Sequence, residues 1–165
     1  MTTRLTVELV PKGQWGANLR SELPKSEWDR LRKATYKAAG YRCEVCGGKG
    51  HKWPVECHER WRYDEETKTQ HLEGLIALCP ACHLCKHFGF AGVQGKQDEA
   101  FQHLMDVNHW SRTDATHYVE AAFETWSRRS NEVWTLDLGW LDSQGVSVPE
   151  HTQGSRTHHP TKSSG

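Results

Sequence analysis

The chain lacks any long apolar run. Nothing in its 165 residues approaches the ~20 consecutive apolar side chains that a membrane-spanning helix requires, so no membrane partner is expected. The opening MTTRLTVELV has neither the apolar core nor the small-residue cleavage site of a secretory leader, which makes a cytoplasmic location the expectation. Net charge is absent too. Twenty-one Lys and Arg balance 21 Asp and Glu, so global charge does not advertise a polyanionic partner. No segment repeats, which sets aside repeat architectures. Aliphatic side chains are scarce, since only 36% of residues are hydrophobic and eight of them are tryptophan. Most of Trp15, Trp28, Trp53, Trp61, Trp110, Trp126, Trp134 and Trp140 are therefore expected to pack a modest single core rather than stack on bases.

What is present is unevenly placed. Residues 1–53 hold eleven Lys/Arg against five Asp/Glu, while the rest of the chain is net acidic. Arg4 to Val10 (RLTVELV) alternates and is β-branched, predicting a strand. PKSEWDRLRKATYKAAG predicts a basic helix from Pro24, stopped by Gly40. Pro54 to Tyr63 and Gln70 to Cys79 read as two strands of a hairpin around the turn at Asp64 to Thr67. Pro80 can start a short helix. After the Gly-rich FGFAGVQG, helices are expected over Lys96 to Val107 and from Thr113 to about Arg129, then a closing strand within Glu132 to Trp140. The division is 1–40 (strand and basic helix), 41–90 (a cysteine-rich module), 91–142 (a helical extension) and 143–165 (a polar tail expected to be disordered).

The cysteines carry the strongest signal. Cys43-Glu-Val-Cys46 and Cys79-Pro-Ala-Cys82 are two CxxC pairs separated by 32 residues. Two residues between thiols let both sulfurs reach one ion, and two such knuckles complete a tetrahedral four-thiolate shell that suits Zn2+. In a reducing compartment this reading outweighs disulfides. The clamp would join the two ends of the hairpin, and a closed four-thiolate shell does no chemistry itself. Cys57 and Cys85 are left over and are expected to be buried or semi-exposed free thiols, with a redox-sensing role ranked well below the other readings.

His83 and His87 stand four residues apart after Cys82, a spacing that puts both imidazoles on one helical face. With His58 and Glu59 on the first hairpin strand, they form a second candidate cluster. The stretches YRCEVCGG, VECHERW and GLIALCPACHLCKH resemble the HNH nucleases, in particular small bacterial members with a V-E-x-H-E-x-W strand. The resemblance covers roughly Tyr41 to Gly89. It implies an α+β fold: a zinc-clamped ββα-metal core with an N-terminal strand and helix and two C-terminal helices. It also implies hydrolysis of phosphodiester bonds in DNA, with a structural Zn2+ and a second divalent ion (Mg2+, Mn2+, Ni2+ or Zn2+).

The family pattern fits in two registers. In one, His58 is the general base, Cys57 falls where many members have a metal-binding Asp, and His83 is a ligand. In the other, His58, His83 and His87 hold the ion and Glu59 falls at the general-base position. The second uses three good ligands and is preferred for the metal, while the base stays open between His58 and Glu59. Gly74 stands where the family often has its middle Asn, with His71 and Glu73 the nearest polar residues to replace it. Lys86, Arg42 and Lys37 are the expected phosphate contacts, and a dimer would allow both strands to be cut. The alternative is a weak or inactive zinc module that binds nucleic acid or a protein partner.

Overall fold

The computed structural model describes residues 3–14 and 18–147. Helix α1 is short (Leu19–Glu22), capped by the Asn18 side chain on the Ser21 N–H. Helix α2 (Lys25–Ala38) follows Pro24 and buries Trp28 and Leu31. It ends in a left-handed turn at Gly40, where the Gly40 and Tyr41 N–H groups close back on the Lys37 and Tyr36 carbonyls. Strands β1 (Glu56–Asp64) and β2 (Thr69–Leu78) form the expected hairpin. Its turn is held by Asp64 Oδ1, which accepts the Glu66 and Thr67 N–H groups.

β1 and β2 pair antiparallel, with His58 opposite Ile76 and Arg60 opposite Gly74, and the register slips before Trp61 opposite Leu72. Glu73 is the extra residue of this bulge. Gly74 beside it has φ +156°, which L side chains rarely adopt. Helix α3 (Pro80–Lys86) starts on the cap Cys79, and α4 (Phe88–Val93) follows with His87 between them. Then come α5 (Gln97–Asn108), α6 (Arg112–Ser130), β3 (Thr135–Asp137) and α7 (Trp140–Ser143). β3 joins the start of β2 in parallel, giving a three-stranded sheet in the order β1-β2-β3.

The sheet separates two apolar clusters. On one face Cys57, Trp61, Leu72 and Leu75 pack against Leu19, Trp28, Leu31, Leu136 and Leu141. On the other, Ile76 and Leu78 join Leu5, the buried cysteines, Phe88, Leu104 and Val119. Strand alternation puts His58 on this second face. The molecule is thus α+β, with a three-stranded sheet and a four-cysteine cluster beside the hairpin.

Four expectations need correction. Arg4 to Val10 forms no strand, and its backbone bends at Arg4 and Leu5. Its polar backbone groups are taken instead by Asn108, whose Oδ1 accepts the Arg4 and Leu5 N–H groups, and by the Tyr118 hydroxyl and the Lys86 carbonyl, which accept the Val7 and Glu8 N–H groups. The Gly-rich FGFAGV is helix α4, because Phe88 and Ala91 are buried on one side of it. The cap of α6 is Ser111, accepting the Asp114 N–H, rather than Thr113. The chain also stays packed beyond Ser143, with Val146 buried, while the remainder of the expected tail, like Trp15, lies outside the described residues.

Candidate metal centres

The first centre is built by the knuckles. Sγ atoms of Cys43, Cys46, Cys79 and Cys82 all lie within 4.8 Å of one another, and those of Cys46 and Cys79 are 3.7 Å apart. A tetrahedral Zn2+ with bonds of ~2.3 Å places its sulfurs about 3.8 Å apart, so the spacing fits. Backbone amides turn inward on the sulfurs: Val45 and Cys46 N–H to Cys43, Gly48 N–H to Cys46, and Cys82 N–H to Cys79, at 3.3–3.4 Å. These donors favour thiolates. Without a cation the thiols cannot all ionise. The Cys82 thiol holds Cys43 down to about 4, burial pushes Cys79 up to about 11, and the bond to Cys43 raises Cys82 further. A dication removes that conflict, so the four cysteines could hold an ion such as zinc. His103 of α5 adds a fifth polar contact, its Nε2 lying 3.2 Å from Cys82 Sγ.

The second centre is formed by His58 of β1 with His83 and His87 at the end of α3. Ligand atoms of His58, His83 and His87 also lie within 4.8 Å of one another. His87 is not inside the helix but caps its C-terminus, and the cap still brings its Nε2 to 3.1 Å from His83 Nε2. Carboxylates hold two of the rings from behind. Glu8 Oε1 sits 2.7 Å from His58 Nε2, and Glu56 Oε1 sits 2.7 Å from His83 Nδ1. Glu56 also accepts the Trp53 indole N–H at 2.6 Å. His58 is 4% exposed, and its Nδ1 has no hydrogen-bond partner among the described residues. Burial, then the charge of His83, drives His58 down to about 3, and burial likewise takes His87 to about 4. Neutral imidazoles braced by carboxylates are the usual form of histidine ligands. Three imidazoles suit Zn2+ or Ni2+ better than Mg2+, which favours oxygen.

A cleft of about 560 Å³ opens beside His58, between the N-terminal segment, the hairpin and α6. Its lining includes Glu8, Arg60, Tyr63, Lys86, Trp126 and Arg129. Burial raises Glu8 to about 7, opposed by Lys86 and Arg129.

Among the expected residues, the structure brings the four cysteines together and the three histidines together. Glu59 lies on the other sheet face, where its Oε2 accepts the Leu19 N–H at 2.9 Å. Lys86 is half-buried, its Nζ donates to Thr6 Oγ1 at 2.6 Å, and burial lowers its pKa. Lys37 is exposed on α2, behind the sheet as seen from His58. Arg42 lies on the first knuckle and donates to the Gly47 carbonyl. His71 is paired with Asp137 and Glu73 with Arg62. Cys57 and Cys85 are pushed up to about 12, mainly by burial.

Sequence reasoning missed Glu8 and Glu56. Glu56 stands two residues before His58 on an alternating strand, and that period was the available signal. Glu8 lies 50 residues away, and its only trace was a lone acid within the apolar LTVELV. No family model, no curated protein and no solved structure matches this chain.

Proposed function

We propose that this chain is a metal-dependent, HNH-type endonuclease that hydrolyses phosphodiester bonds in DNA, built on a zinc-clamped ββα core. The observation that carries the reading is the three-histidine cluster at the junction of hairpin and α3, with one buried ring nitrogen unpartnered and two rings braced by carboxylates. In this reading His58, His83 and His87 hold the second ion. When bound, the ion supplies Lewis-acid polarisation of a phosphoryl oxygen and brings the pKa of a water down towards 7.

The remaining work belongs to the chain. Glu8 accepts the N–H of His58 Nε2 and so keeps the lone pair on Nδ1, facing the cluster. Glu56 does the same for His83, fixing its Nε2 towards His87. Burial of His58 and His87 keeps both rings unprotonated at neutral pH, as ligands must be. Glu59 has a structural part, holding the first N–H of α1, and supplies no proton transfer. A second copy of the chain would be needed to cut both strands at one place.

Zinc-loaded protein incubated with supercoiled plasmid and Ni2+, Mn2+, Mg2+ or Zn2+ should nick or linearise it. His58→Ala and His83→Ala should each lower the rate by at least 100-fold, whereas Glu59→Gln should stay within about threefold of the wild type. Cleavage by no metal above the level of the histidine variants sinks the nuclease reading. A large loss in Glu59→Gln makes Glu59 the base instead. The second reading, an inactive zinc module that binds nucleic acid or a protein, draws on Gly74, which has no side chain where the family Asn would stand. It predicts oligonucleotide binding without cleavage.

A further inference from the structure

Arg60 lies two residues beyond His58 on β1, on the same sheet face and about 7 Å further along the strand. Its side chain crosses to β2 and settles over Gly74, its cross-strand partner. The three nearest atoms that a Cβ on Gly74 would meet all belong to the Arg60 guanidinium, with Nη2 at 3.1 Å. The space left by the missing side chain is therefore filled by a cation. Glycine is also what the bulge requires there, given its φ of +156°.

The other cations of the cleft are occupied. Lys86 donates to Thr6, and Arg129 is held by Glu65. Arg62, the next basic residue of the strand, is paired with Glu73. Among the described residues, the exposed side chain of Arg60 makes no hydrogen bond or ion pair, although it lines the cleft beside His58. A guanidinium free of partners and one rung from the histidine cluster suits a phosphate, which it can grip with two N–H groups.

We infer that Arg60, seated over Gly74, is the phosphate-binding residue of the cleft and grips the strand next to the bond held at the histidines. This rests on the nucleic-acid reading above. It replaces Lys86, Arg42 and Lys37 as the principal phosphate contact.

The test uses the zinc-loaded 165-residue chain with no second divalent ion added, so that binding is read without cleavage. Fluorescence anisotropy of labelled duplex and single-stranded oligonucleotides is followed from low to moderate salt. Arg60→Ala should flatten the slope of log K against log salt by about 0.9 on duplex and about 0.7 on single strands, the loss of one phosphate contact. Arg60→Lys should restore most of the slope, and Arg62→Ala should leave it unchanged. An unchanged slope in Arg60→Ala, or an equal loss in Arg62→Ala, overturns the assignment. If the wild type binds no oligonucleotide, the nucleic-acid reading falls with it. If the Arg60 effect is seen but no metal supports cleavage, Arg60 stands and the nuclease reading alone fails.

Discussion

At His58 the imidazole is confined from every side: Glu8 behind it, His83 and His87 across from it, and ring centroids 5.3 and 5.0 Å away. Protonating it means placing a charge in a buried site, so its pKa falls to about 3, and that of His87 to about 4. In the unfolded chain both would titrate near the ordinary 6.5. The proton then favours the unfolded state, so the stability these rings contribute is complete above pH 6.5. It is lost as pH falls from there towards 3. An NMR titration of the zinc-loaded protein should find both rings neutral at pH 5.5. A midpoint near 6.5 for either would show that the ring is not enclosed in this way. Of the residues at this site, the ligands themselves were legible. His83 and His87 advertise themselves by spacing and the cysteines by their pairs. Glu8 could not be read, because nothing local marks which of 21 acids will meet a histidine 50 positions away.

The elements divide in the same way. The hairpin, α2, α5 and α6 were readable because alternation and helical periodicity are local properties and each element buries one continuous face. A glycine inside an apolar strand is a signal for a bulge, although Gly74 reads only as the place of the family Asn. Its meaning, room for Arg60, needed the partner strand. The N-terminal segment deceived because β-branched alternation is only a local preference, and a strand exists only where a neighbouring strand pairs with it. Here the segment is seated by side chains instead. Asn108 alone accepts two of its N–H groups and donates to the Leu5 carbonyl at 2.8 Å, all while 4% exposed. Asn108→Ala should cost about 1–3 kcal/mol, since it leaves buried backbone groups unpaired. Urea unfolding measures the loss, and amide exchange should locate it at Arg4 and Leu5. A change within 0.5 kcal/mol would mean the segment is held mainly by its apolar side chains.

For the molecule as a whole, the cysteine cluster is part of the core. Cys43, Cys79, Cys82 and Cys85 are buried in the same apolar cluster as Leu5, Leu78, Phe88 and Leu104. Removing an ion there would leave mutually repelling thiolates, or thiols forced neutral, at the centre of the packing. An ion present at about a thousand times its Kd contributes about 4 kcal/mol. For a chain of this length that is on the order of 10 °C in Tm. Chelation should therefore lower Tm by at least that much, and re-adding Zn2+ should restore it. A Tm indifferent to chelator would mean that the four cysteines hold no ion.

The way the N-terminal segment is seated also orders events in time. Glu8, though made early, is held in place by contacts from much later in the chain. The Tyr118 hydroxyl fixes Val7, and the Trp126 indole fixes the Val10 carbonyl. All four clamp cysteines and all three histidines have been made once His87 is complete. Roughly 40 residues of synthesis then separate that moment from Trp126, about 2–8 s at ordinary elongation rates. Between the emergence of His87 from the ribosome and that of Trp126, an interval of the same length, the nascent chain can close its clamp, but the clasp that seats Glu8 behind His58 is unfinished. A ribosome-bound or prematurely released fragment would carry every ligand but lack a seated Glu8 behind His58, so the site matures last.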